Sequence, residues 1–389
     1  MSVKVSRNIQ MVDLVGQYEK IKNEIDSAIQ EVIQSSRFIN GPSVKEFQSD
    51  LEKYLGVKHV IPCANGTDAL QIALMALGLK QGDEVITANF TFAATVEAIA
   101  FLGLVPVLVD VDPNTFNIDI KEIEKAITPK TKAIIPVHLF GQCADMEPIM
   151  ALAKKNNLFV IEDTAQAIGA DYSFSNSIKK KAGTIGNIGT TSFFPSKNLG
   201  AYGDAGALFT NDDELAKKCR MIVNHGQSKQ YHYEMLGVNS RLDTIQAAIL
   251  KVKLKYLDGY AAARNQAAAY YDNAFSPLSL GRGARGEVKI KIPVRTENST
   301  HVFHQYTLKL NGVNRDKLKE HLASKEIPSM VYYPVPLHSQ KAYRNSLNDN
   351  KKYPVTDQLC ASVISLPIHT ELNEETLKYI TDSVLEFTK

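Results

Sequence analysis

Lys197 stands in the run Thr191-Ser-Phe-Phe-Pro-Ser-Lys-Asn-Leu-Gly-Ala-Tyr-Gly-Asp-Ala-Gly-Ala207. A short β-prone run, Thr190 to Phe194, precedes it. Gly200, Gly203 and Gly206 follow, and then a second apolar run, Ala207-Leu-Phe-Thr210. On residue type alone a loop lysine is solvated. A lysine in a turn between two strands, among aromatic and small residues, is in a different position. Partial burial disfavours its ammonium form, and a neutral amine is what Schiff-base chemistry requires.

Two further stretches carry chemistry. Asn65-Gly-Thr-Asp68 joins a predicted strand to a predicted helix, whose first turn offers free N–H groups and a positive dipole end. Gly66 lets the backbone come close to a phosphate and the Thr67 hydroxyl adds a donor, although Asn-Gly turns also precede helices that bind nothing. Glu162-Asp-Thr-Ala-Gln166 follows an apolar strand, which places Asp163 at its carboxyl end. Alone, Asp163 reads most simply as a helix N-cap. A metal is disfavoured, because no histidine or carboxylate accompanies it at ligand spacing. Together, a near-neutral lysine, a phosphate cradle and an acid able to hold a protonated ring nitrogen are the protein parts that pyridoxal 5'-phosphate needs.

The elements that must position these residues follow from hydrophobic patterning. Tyr18 to Ile33 has apolar residues at helical spacing, and Ser43-x-x-Glu46 has the form of a capping box opening a second helix that Gly56 ends. The chain then alternates. Strands are expected at 59–62, 84–87, 105–109, 133–137 and 159–162, and helices at 68–77, 93–102, 120–127 and 146–156. The strands are short and apolar throughout, as buried parallel strands are, so the fold class is α/β with a doubly wound sheet. Ligands in such sheets bind at the carboxyl ends of strands. Asp171 to Ala182 reads as a surface excursion, and Asp212 to Val223 as a helix. A long helical stretch, Ser240 to Phe275, bends near Gly259, and the composition shifts over Ser276 to Gly286. We expect a large unit over residues 1–255 and a smaller one over 256–389. The smaller one has strands near 288–292, 305–310 and 330–333, and helices at 315–324 and 374–387.

Composition narrows the function. The 389 residues include 44 basic and 42 acidic ones and no basic block, so nucleic acid is not an expected partner. Four scattered cysteines without a CxxC fit a reducing compartment. No signal peptide or membrane span is visible, and a cytoplasmic protein is expected.

The chain resembles the DegT/DnrJ/EryC1/StrS family, nucleotide-sugar aminotransferases of the aspartate aminotransferase fold (pyridoxal-phosphate fold type I), from Tyr18 to the last helix. The resemblance rests on Ala64-Asn-Gly-Thr-Asp-Ala-Leu70, Glu162-Asp-Thr-Ala-Gln166, Ser192-Phe-Phe-Pro-Ser-Lys-Asn-Leu-Gly200 and Gly237-Val-Asn-Ser-Arg-Leu-Asp-Thr-Ile-Gln246. It implies that Lys197 is the Schiff-base lysine and the proton-transferring base. Asp163 would pair with the pyridinium nitrogen, and Gln166 would lie near the ring hydroxyl. Gly66, Thr67 and Ser192 would hold the phosphate, with Asp68 among the cofactor contacts. Phe92 would stack on the ring, unless it is a core residue. Asn239 would reach the phosphate of a neighbouring subunit, unless it is a loop or cap residue, and this implies a homodimer with shared active sites. Relatives with histidine for the lysine are dehydratases; this chain has the lysine.

The implied reaction moves an amino group from L-glutamate to a nucleotide-linked keto sugar. Ser192–Lys197, His225-Gly-Gln227, Tyr231-His-Tyr233, Gly237–Arg241 and Val335-Pro-Leu337 look most like enzymes that aminate C3 of UDP-2-acetamido-2-deoxy-3-oxo-glucuronate for cell-surface polysaccharide such as O-antigen. A dTDP-3-keto-6-deoxyhexose is the alternative, and amination at C4 stays open. Arg37, Arg241 and His338 are candidates for the uronate carboxylate by charge, and surface salt bridges or strand-end positions also explain them. His304 and Tyr306 are candidates for the sugar pocket, as is a strand with one wet face. A regulator that binds the cofactor without transamination is the competing class. A plain amino-acid aminotransferase is disfavoured, because Arg315 looks like a helix-start residue.

Overall fold

The computed structural model describes residues 9–279, 289–343 and 351–388. Helices α1 (Leu14–Ser35) and α2 (Pro42–Leu55) open the chain. Ile21, Ile25 and Val32 give α1 its buried stripe, and Phe47, Leu51 and Leu55 give α2 its own. The expected capping box does not form. Helix α2 starts at Pro42, after Gly41 and without a side-chain cap. Proline suits the first helical position, where its missing N–H costs nothing. Glu46 instead pairs with Lys251 at 2.6 Å. Gly56 ends α2 at φ 64°, as expected.

The alternation follows: β1 (His59–Cys63), α3 (Gly66–Ala76), β2 (Glu84–Ala88), α4 (Ala94–Phe101), β3 (Val105–Val109), α5 (Ile120–Ala126), β4 (Thr131–Ile135), α6 (Met146–Lys155) and β5 (Phe159–Asp163). A hairpin, β6 (Asp171–Ser173) and β7 (Lys179–Lys181), occupies the expected surface excursion. Tyr172 anchors it, fully buried. Then come β8 (Ile188–Ser192), β9 (Gly206–Thr210) and α7 (Asp213–Ile222), and a small ladder of β10 (Gln227–Lys229) with β11 (His232–Tyr233).

Seven strands form one sheet in the order β1-β9-β8-β5-β4-β2-β3. From β3 to β8 every neighbouring pair is parallel; β9 runs against both β8 and β1. Both faces are covered, which is why the strands read as unbroken apolar runs. One face packs Leu70, Ile72, Ile99 and Ile222 of the helices against Ile61, Ile135 and Ile161. The other packs Phe90, Met146 and Ile149 against Ile86, Ile134 and Val160.

The long helical stretch is two helices, α8 (Thr244–Leu254) and α9 (Leu257–Ser279). The break lies at Lys255 and Tyr256, not at Gly259, which is inside α9. Lys255 N donates to Val252 O and Tyr256 N to Lys253 O, a tightened last turn. Both side chains are drawn to Glu24 of α1.

The compositional shift near 276–286 falls largely outside the described residues. Beyond it β12 (Ile290–Lys291), β13 (Tyr306–Leu310), α10 (Arg315–Ser324), α11 (Pro354–Ser362), β14 (Val363–Leu366) and α12 (Glu374–Thr388) build a three-stranded antiparallel sheet with helices. Its core holds Tyr271, Phe275, Leu308, Ile364 and Ile380. The expected strand at 330–333 is a single bridge, Met330 to Ser365. Pro328, Pro334 and Pro336 surround it and cannot donate to a ladder. Helix α11 and strand β14 had no place in the sequence-based reading. Among the described residues no helix is long and apolar enough to cross a membrane.

Candidate active site

The carboxyl ends of β5 and β8 open into a cavity of 610 Å³. Lys197 lines it from the loop joining β8 to β9. That loop is closed below by the Ser192–Gly206 pair and shaped by a turn in which Lys197 N donates to Phe194 O, 2.8 Å. Phe193 anchors it, fully buried and edge-on to Phe47 at 5.5 Å. The Lys197 side chain is half-buried. Burial lowers its pKa from 10.5 to about 8, against the opposing pull of the Asp163 carboxylate. The sequence argument for a readily deprotonated amine therefore has a physical basis.

Asp163 ends β5 and lines the same cavity. Its Oδ2 accepts from Thr95 Oγ1 at 2.9 Å, and its Oδ1 from Ala165 N at 3.1 Å. A turn follows rather than a helix, so the N-cap reading does not apply. Its neighbour Glu162 points to the opposite face, as strand periodicity requires. Glu162 is fully buried and accepts from His138 Nε2 at 3.0 Å and from the N–H groups of Gly183, Ile185 and Gly186. Burial alone would raise its pKa; the bonds from His138 and the backbone outweigh that and lower it.

Gly66, Thr67 and Ser192 share one wall of the cavity. A Cβ on Gly66 would lie 2.6 Å from Ser192 Cβ, and one on Gly206 would lie 2.4 Å from the Asn65 carbonyl carbon. Neither position admits a side chain, and the backbone at the start of α3 stays open to a ligand. Asn65 Oδ1 caps the helix by accepting from Asp68 N at 2.8 Å. Asp68 lies in that first turn, outside the cavity wall.

Phe92 is 58% exposed and faces the cavity, 6.3 Å from the Tyr333 ring. It is therefore not a core residue. Gln166 lines the wall with both amide ends engaged: Oε1 accepts from Phe140 N at 2.8 Å, and Nε2 donates to Tyr333 Oη at 3.1 Å. His304 also lines the cavity and is buried, its Nδ1 without a partner among the described residues. Burial first, then the charges of Lys197 and Arg264, hold it neutral.

Other expectations are corrected. Tyr306 does not reach the cavity. It is fully buried beside Tyr271, 4.7 Å between rings, and donates to Asp272 at 2.8 Å. Both faces of β13 are buried, so no wet face exists. His338 lies outside the cavity wall in a two-way clasp with Asn89: Asn89 Nδ2 donates to His338 Nδ1, and His338 N donates to Asn89 Oδ1. Arg37 lines a separate open pocket with Phe38, Ile39 and Lys45. Asn239 is exposed and Arg241 half-buried, and neither lines the cavity of its own chain.

The sequence reading missed Thr91, Thr95, Tyr332 and Tyr333. Thr91 Oγ1 is buried at the cavity without a partner among the described residues. A signal existed for the tyrosines: two adjacent aromatics bounded by prolines make a poor strand and a plausible loop over a site.

The residues present fit a pyridoxal phosphate: a cradle without side chains, a lysine of lowered pKa, a fixed carboxylate and an orphaned hydroxyl on one cavity. This fold is that of the fold type I aminotransferases. The chain belongs to the DegT/DnrJ/EryC1/StrS aminotransferase family, matched over residues 19–385, and that family uses pyridoxal phosphate. It is 48% identical to a pleiotropic regulatory protein of Geobacillus stearothermophilus over 98% of each chain. It is 45% identical to UDP-2-acetamido-2-deoxy-3-oxo-D-glucuronate aminotransferase of Pseudomonas aeruginosa, over 96% of this chain and 98% of that one. Among solved structures, NtdA of Bacillus subtilis, with its cofactor PMP bound, superposes with TM-score 0.86 at 34% identity, covering 95% of this chain and 82% of that one.

Proposed function

We propose that this protein transfers the amino group of L-glutamate to the C3 keto group of a nucleotide-linked sugar, with UDP-2-acetamido-2-deoxy-3-oxo-glucuronate as the preferred substrate. The cavity that Lys197 shares with Asp163 carries the reading of an aminotransferase. The 45% identity to the Pseudomonas aeruginosa enzyme supports the sugar.

Pyridoxal phosphate, when bound, supplies an electron sink for the carbon that carries the migrating nitrogen. Lys197 Nζ would hold the cofactor, and its readily deprotonated amine would accept and return the proton at that carbon. Asp163 keeps the ring nitrogen protonated. Gly66, Thr67 and Ser192 would hold its phosphate, Phe92 would stack on its ring, and Gln166 would lie near the ring hydroxyl, all from the lining of one cavity. Asn239 reaches the phosphate site of a second subunit, so the working unit is a homodimer. Arg37 and Arg241, which lie outside the cavity of their own chain, are candidates by charge for the uronate carboxylate of the substrate. Residues 1–255 form the large cofactor-binding unit and 256–389 the small one. We place the enzyme in the cytoplasm, making an amino sugar for cell-surface polysaccharide.

The first test is the visible spectrum of the purified protein before and after glutamate, and then with the UDP or the dTDP 3-keto sugar. A band that bleaches with glutamate and returns with the UDP sugar alone supports the proposal. Return with only the dTDP sugar replaces the substrate. A band unaffected by glutamate supports the alternative of a cofactor-binding regulator, which the name of the Geobacillus relative favours.

A further inference from the structure

Thr95 lies in the first turn of α4 and is completely buried. A threonine there usually turns its hydroxyl to a nearby carbonyl of its own helix or loop. Thr95 instead donates to Asp163 Oδ2, at 2.9 Å and 68 positions along the chain. The other oxygen, Oδ1, accepts from Ala165 N at 3.1 Å. The two bonds fix the rotation of the carboxylate from two directions. The donor comes from the same short segment, residues 91–95, that carries Phe92 to the cavity. One segment, leading into α4, therefore both brings Phe92 to the cavity and fixes the Asp163 carboxylate.

We propose that Thr95 is a positioning residue, which holds the Asp163 carboxylate in the orientation that receives the protonated ring nitrogen of the cofactor. A fixed hydroxyl donor removes the rotation that would otherwise have to be frozen on binding. This inference rests on the pyridoxal phosphate reading above.

Thr95→Val keeps the shape and removes the donor, and Thr95→Ser keeps the donor. Both are measured for the dissociation constant of pyridoxal phosphate and for the pH dependence of the visible band. The melting temperature of the cofactor-free protein serves as control. Thr95→Val is expected to weaken binding about tenfold, the scale of one hydrogen bond to a charged group, and to move the pH midpoint of the band. Thr95→Ser is expected to restore both. In an Asp163→Asn background, Thr95→Val is expected to add nothing to either, since coupled residues are not additive. A Thr95→Val protein that changes only in melting temperature overturns the proposal, because Thr95 then acts through packing. Equal effects with and without Asp163→Asn overturn it as well. If the wild-type protein gives no band with pyridoxal phosphate, the cofactor reading itself fails before any variant is compared, and the role of Thr95 falls with it.

Discussion

At Lys197 two influences oppose each other: burial releases the proton and the Asp163 charge retains it, and burial prevails. The pKa of about 8 has a kinetic consequence. Uptake of pyridoxal phosphate by the cofactor-free protein is expected to accelerate about tenfold per pH unit below 8 and to level off above it, since only the neutral amine attacks. Stopped-flow absorbance checks this, and a flat profile would refute it. Lys197→Ala is expected to abolish the band altogether. Asp163→Asn, with its shape kept and its charge removed, is expected to lower kcat/KM by about two orders of magnitude or more, the scale of a preorganised electrostatic contact, in steady-state assays with glutamate. Glu162, one position earlier, has a different role. Its folded pKa is depressed, so its contribution to stability is present above its ordinary value of 4.5 and is lost as the pH falls below that. Glu162→Gln is expected to cost about 3 kcal/mol at pH 7, the cost of breaking a buried pair, and less at pH 4. Urea titrations at the two pH values measure the difference.

Among the elements, the start of α3 lies against the end of β8. Gly66→Ala is expected to weaken pyridoxal phosphate binding at least tenfold and to cost about 1–3 kcal/mol of stability, because the new methyl group meets Ser192 Cβ at 2.6 Å. Calorimetric titration and a melting curve separate the two effects. The elements on this side were legible because each announces itself locally. The apolar runs at β2 and β3, the Asn-Gly turn before α3 and the glycines after Lys197 all lie within a few residues of what they build. Features made by distant segments were not legible. The bond from Thr95 to Asp163 and the contact of Tyr333 with Gln166 leave no trace in either stretch alone. Tyr306 was a candidate for the sugar pocket, with a strand of one wet face as the alternative; the structure fits neither, since every residue of Tyr306–Leu310 is buried. His338 was a candidate by charge alone, and only the folded chain reveals its contacts with Asn89. Helix α11 was missed because its cap lies far upstream: Asp110 accepts from Val355 N and Thr356 N.

For the whole molecule, the exposed Asn239 and the separate pocket at Arg37 set up a test of the shared-site dimer. Lys197→Ala and Asn239→Ala are each expected to be inactive or nearly so. Mixed and allowed to exchange subunits, they are expected to recover about a quarter of wild-type activity, because half of the random pairs hold one intact site in two. No recovery, with exchange confirmed by native mass spectrometry, would place each complete site within one chain.

The cavity draws its walls from segments far apart along the chain. Segments 65–67, 91–94, 163–166 and 190–197 supply part of the lining, and His304, Gln305, Tyr332 and Tyr333 a later part of it. Synthesis proceeds from the N-terminus, and the parts made first begin to fold first. On the ribosome the lysine, its acid and the glycine cradle therefore emerge well before the residues that close over them. During that interval the cavity lacks four of its lining residues, His304, Gln305, Tyr332 and Tyr333. Those residues arrive last, and from then on access to the lysine is governed by the shape of the finished protein.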